Sequence, residues 1–166
     1  MHVIVDDRTI DSDDVLKIVE PVWWLANFYE NPATYEKSLS RFSSCARYAY
    51  AAIWYESEVL NGGHDQFFSN STGMVWIDAL EGLDAMSFSA AAEILATAVE
   101  GLGGSPSLDR HERQNQMDAI NVNFDDLDDR YGKVVRGKLD DYVLRYAKEK
   151  RSSFYFNGMV KKSVGF

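Results

Sequence analysis

The chain is short of several things, and each shortage excludes a class. Its 166 residues include one cysteine, Cys45, so no intramolecular disulfide and no thiolate metal cluster can form. Cys45 lies in Ser-Cys-Ala-Arg-Tyr-Ala, which reads as a buried structural thiol in a helix. No run of about 18 apolar residues is present, which argues against a membrane span. No apolar stretch follows a basic start, so a signal peptide is not expected and the cytoplasm is the expected compartment. Bases are scarce in the first two thirds. Between Arg47 and Arg110 there is no Lys or Arg, yet nine carboxylates occur there.

What is present points to a packed helical domain. Apolar residues make up 46% and aromatics 13%, too many for a disordered chain. The length suits one domain over 1–166, with a short extended arm at 1–11 and an aromatic, basic tail at 152–166 that carries Lys161 and Lys162. That tail is read as docking on its own domain in preference to a partner copy.

Helical spacing recurs along the chain. Val15, Val19, Val22, Trp23 and Ala26 form one stripe, in which Pro21 predicts a kink or two abutting helices. Leu39, Phe42, Ala46, Ala49, Ile53, Glu56 and Leu60 form the longest, with Tyr48, Ala52, Tyr55 and Val59 beside it. This predicts an all-α multi-helix bundle around a central helix at about 33–60, closed by a C-cap at Asn61-Gly62. Ser12 or Asp13, Ser87, and Ser107 or Asp109 are the expected caps of further helices. A helical period from Phe124 to Tyr146 is weakened by Gly132 and Gly137, which predicts one helix or two.

Catalytic signatures are hard to find. His2, His64 and His111 show no zinc-like pairing, and no phosphate loop, nucleophile elbow or calcium-loop order occurs. His64-Asp65 with Ser69 invites a triad, but adjacent side chains diverge and Asp65 reads as a helix cap. A non-enzyme with no cofactor and no metal is therefore expected. Gln66 and Asn70 leave a second course open, a small-ligand binder or enzyme using the turn at 61–73.

The charge is the stronger lead. Residues 1–109 hold 17 acids against 5 bases, a net of −12, and residues 110–166 hold 9 acids against 12 bases, a net of +3. Such a field repels nucleic acid and anionic lipid and attracts basic partners. Carboxylates on successive helical turns stand about 5.4 Å apart along the axis and can imitate a run of phosphates. The candidate partner-binding surface is Asp78, Glu81, Asp84, Glu93, Glu100, Asp118, Asp125, Asp126, Asp128 and Asp129.

The stretch Glu58-Val-Leu-Asn61-Gly62-Gly63-His64-Asp65-Gln66-Phe67-Phe68-Ser69-Asn70-Ser-Thr-Gly73 resembles the DNA mimic protein 19-like domain family. Ala79-Leu80 and Phe124-Asp-Asp-Leu-Asp-Asp-Arg-Tyr131 also look like it, over roughly residues 20–147. The resemblance implies an all-α bundle and an intracellular bacterial protein. It also implies a homodimer whose acidic surface occupies the DNA-binding face of a transcription factor. The motif residues Asn61, Gly62, Gly63, Asp65, Gln66, Phe67, Phe68, Asn70 and Gly73 read as structural. Two readings remain beside mimicry: an immunity-type inhibitor that blocks one toxin or enzyme, and the ligand-binding turn.

Overall fold

The computed structural model describes residues 1–161. Lys162 and Phe166 of the expected tail lie outside the described residues. The chain begins with strand β1 (His2–Val5) and helix α1 (Asp7–Ile10), followed by α2 (Val15–Leu25) and α3 (Pro32–Leu39). Then come the long α4 (Ser44–Ser69), a 3-10 turn (Ser71–Val75), α5 (Trp76–Ala85) and α6 (Ser89–Gly101). The last third holds α7 (Arg110–Ile120), α8 (Asp125–Val134), α9 (Leu139–Glu149), α10 (Arg151–Phe154) and strand β2 (Phe156–Met159). The fold is all-α with a small two-stranded sheet.

α4 is the axis of the bundle. Helices α2, α5, α7, α8, α9 and α10 all pack on it. Its buried face carries Ala46, Ala49, Tyr50, Ala51, Ala52, Tyr55 and Val59, and small residues in that row let neighbours approach closely. Tyr50, Tyr55, Phe67, Phe68 and Tyr131 are the large side chains at the centre of the core.

The central helix differs from the expected one at both ends. Residues 33–60 are divided, because Ser43 caps α4 by accepting from Ala46 N. The Ser43 hydroxyl also donates to Ser153 O, 2.5 Å away, tying the helix start to α10. Phe42 leaves the helical path and stacks on Phe156. At the other end, Asn61-Gly62 does not stop the helix. The chain kinks at Gly62 and Gly63 and continues as helix to Ser69.

Other local readings shift by small steps. α2 runs through Pro21, which is buried, so one helix stands where a kink or break was expected. Asp14, not Ser12 or Asp13, caps it by accepting from Lys17 N. Ser87 takes a left-handed φ of 58° and supplies no side-chain cap to α6. Asp109 caps α7 through His111 N and Glu112 N. The period from Phe124 is two helices, α8 and α9, parted at Gly137 with φ 76°.

Arm and tail meet. β1 pairs antiparallel with β2, with His2 opposite Met159 and Val5 opposite Phe156. Val3, Val5, Phe154 and Val160 are buried beneath that sheet. Across it, Arg151 holds Asp7 and Asp11, at 3.0 and 2.6 Å. The described part of the tail therefore docks on its own domain.

Candidate functional site

The motif stretch folds back on itself around one carboxylate. Glu58, 7% exposed, accepts from Gln66 Nε2 at 2.6 Å, Asn70 Nδ2 at 3.0 Å and Thr72 Oγ1 at 2.6 Å. Gln66 Oε1 in turn accepts from Asn61 Nδ2. The polar residues of the motif thus fasten the helix before the kink to the helix after it, and to the 3-10 turn. Gly73 allows the close approach: a Cβ there would lie 2.6 Å from Phe67 O and 2.7 Å from Arg113 Nε. Thr72→Val keeps the shape and removes one donor to a buried carboxylate. It is expected to cost about 1.5 kcal/mol in chemical denaturation.

His64 is wholly buried at the kink. Its Nδ1–H donates to Asp128 Oδ1 at 2.5 Å, and Nε2 accepts the Tyr55 hydroxyl at 2.8 Å. Asp128 Oδ1 also accepts from His64 N at 2.9 Å. Asp128 is therefore the acid that caps the helix after the kink, although it comes from α8. Asp65 was the expected cap, but its carboxylate is exposed and accepts no bond there. Burial lowers the His64 pKa from its ordinary value, against the pull of Asp128. A neutral, inaccessible imidazole held at both nitrogens is a packing element and not a base exposed to substrate.

Arg113 was not singled out by sequence. It is wholly buried on α7. It donates to Phe68 O at 2.6 Å and Asn70 O at 2.6 Å, and to Ser107 O and Leu108 O at 2.6 and 3.2 Å. Arg110 Nε and Gln114 Nε2 both donate to Ser69 O. These side chains satisfy the carbonyl end of α4, where cations are favoured. No periodicity marked Arg113, because it sits in a polar helix with few apolar neighbours in sequence.

The ten acids of the expected binding surface divide into spent and unspent. Asp78 is bridged to Arg47 at 2.9 Å and its side chain is only 12% exposed. Arg47 also reaches Glu36 at 3.0 Å. Burial raises the Asp78 pKa, and Arg47 opposes that rise. Glu81 accepts the Tyr48 hydroxyl at 2.6 Å, which with burial pushes that tyrosine up to about 12. Glu93 pairs with Arg130 at 3.0 Å, Asp129 with Lys133 at 3.7 Å, and Asp128 with His64. Asp78 and Asp128 thus serve the fold and leave the proposed phosphate-like row.

Asp84, Glu100, Asp118 and Asp126 are exposed, and their carboxylates have no hydrogen-bond or ion-pair partner among the described residues. Among the described residues, Asp125 shares its carboxylate only with Asn123 Nδ2. Asp118 and Asp65 line one cleft of about 250 Å³ with Met117, Asn121, Val122 and Phe124. These free acids stand on α5, α6, α7 and α8.

The ligand-binding turn gains nothing from this geometry. His64 is buried, and Gln66 and Asn70 are committed to Glu58. Among the described residues, no group of three or more His, Cys, Asp or Glu side chains is arranged to hold a metal ion. No helix among them is long and apolar enough to cross a membrane.

A family model described as DMP19-like protein matches residues 40–150. That span holds the whole motif, Arg113, Asp128 and the free acids, and leaves β1, α1, α2, α3, α10 and β2 outside it. No curated protein and no solved structure matches the chain.

Proposed function

We propose, from the premise that this chain belongs to the DMP19-like protein family, that it is a non-catalytic acidic interaction protein which captures a basic protein partner. The finer reading is DNA mimicry, in which the acidic face occupies the DNA-binding face of a transcription factor or another DNA-binding protein. One observation carries it: nine carboxylates and no Lys or Arg lie between Arg47 and Arg110, and Asp84 and Glu100 among them stand exposed and unpaired among the described residues. Asp118, Asp125 and Asp126 extend the free acids onto α7 and α8. Fixed helices hold these charges, so little ordering is needed when a basic surface arrives. Direct nucleic-acid binding does not fit that field. A cytoplasmic homodimer remains part of the proposal, on the family resemblance alone.

Affinity capture from host lysate tests the reading. A basic DNA-binding protein is expected to bind at low salt and to weaken roughly tenfold or more at moderate salt. Duplex DNA should displace it, and the triple reversal Asp84→Lys, Glu100→Lys, Asp118→Lys should abolish capture with the thermal midpoint unchanged. A single salt-resistant partner that duplex DNA does not displace would replace mimicry with an immunity-type inhibitor.

A further inference from the structure

One buried carboxyl has no part in the motif network. Glu56 lies half-buried on α4, and its Oε1 is shut off from solvent without a hydrogen-bond partner among the described residues. The positions one turn away on the same helix are Ala52, Ile53, Val59 and Leu60, so α4 brings it no charge. Among the described residues, two titratable groups act on it from the other elements, Tyr131 on α8 and Asp140 on α9, and neither is a base. Tyr131 is wholly buried, and its ring meets Tyr55 and His64 edge-on at 5.6 and 6.2 Å. The carboxyl therefore sits where three helices meet, beside the rings that surround the kink.

We infer that Glu56 is a proton-operated latch between the central helix and the α8–α9 pair. Protonated, it packs as a neutral group between Tyr131 and Asp140. Ionised, it is a second carboxylate opposite Asp140, with one oxygen that no donor reaches, and it loosens the two helices from α4. A charge in that position has one oxygen cut off from solvent and no counter-ion among the described residues. Burial, and after it the Asp140 charge, push the Glu56 carboxyl up to about 7, while Tyr131 pulls it down. The folded chain then holds this proton more tightly than the unfolded chain does. The stability it confers is whole below the ordinary glutamate range and is lost as pH rises towards neutrality. His64 acts in the opposite sense, because its lowered pKa confers stability above its ordinary range that is lost as pH falls. Asp78, raised by burial, acts in the same sense as Glu56. The latch does not depend on what the protein binds, and its failure would leave the capture reading untouched.

Thermal unfolding of the full chain with Glu56→Gln isolates the latch, since His64 and Asp78 are common to variant and wild type. At about pH 4, below the ordinary glutamate range, the two midpoints are expected to coincide. At about pH 8 the variant should melt higher by roughly 4 °C or more. An equal difference at both pH values would overturn the proposal. Should Glu56→Gln fail to fold, Asp140→Asn decides, because that exposed side chain is dispensable to the core. A rise in midpoint at about pH 8 that is absent at about pH 4 supports the latch, and no rise at either pH overturns it.

Discussion

Replacing Arg113 with alanine is expected to lower stability by about 4 kcal/mol, seen as a fall of roughly 10 °C in the thermal midpoint. Three losses add. The cavity left at a wholly buried position is large, and four carbonyls lose a donor: Phe68, Ser107, Leu108 and Asn70, the last of which keeps the Gly73 N–H. The carbonyl end of α4 also loses the cation that offsets its partial charge. Burial pushes the guanidinium down to about 10, with Arg110 adding to that, so the group remains protonated at neutral pH. It is a buried cation with carbonyl dipoles in place of a carboxylate. Arg113→Lys tests that geometry. An ammonium cannot span four acceptors arranged around a planar fork, so lysine should recover less than half of the loss. A cost below about 1 kcal/mol for Arg113→Ala would mean that water satisfies the four carbonyls unaided.

That bridge explains what the sequence showed and what it hid. The stripes at Ala46, Ala49, Ile53 and at Ala52, Tyr55, Val59 made α4 legible, since burial on a wide face leaves a periodic trace. Its real limits left no such trace. Ser43 begins it with help from Ser153, 110 residues away, and Asp128 carries it past Gly63 from 64 residues away. Local signals at Asn61-Gly62 favoured an ending, and a distant carboxylate overrode them. The motif could be read as structural, because its amides and glycines are turn formers, but Glu58 as their common acceptor required the fold. Charge marked the acidic face but not which of its acids the fold consumes. Counting acids placed Asp78, Glu81 and Asp84 together on the candidate binding surface. Only the packing of α4 on α5 brings Arg47 to Asp78 and Tyr48 to Glu81, leaving Asp84 alone unspent on that helix.

The kink itself yields the second large effect. Gly63 has φ 74° and ψ −175°, a region essentially closed to residues with a side chain. A Cβ built there would stand 2.2 Å from Asp128 Oδ2, the carboxylate that holds His64. Gly63→Ala is therefore expected to cost about 4 kcal/mol, partly as backbone strain and partly because Asp128 must withdraw from both His64 donors. Asp128→Ala alone forfeits the same two bonds, at about 2 kcal/mol, without straining the backbone. The two losses share one term, so the double variant should be little worse than Gly63→Ala alone. The single costs should then exceed the double cost by about 2 kcal/mol when added together. Strict additivity in chemical denaturation would show that the carboxylate does not sit over Gly63 in solution. It would also remove Asp128 as the cap that lets the central helix continue past its own glycines.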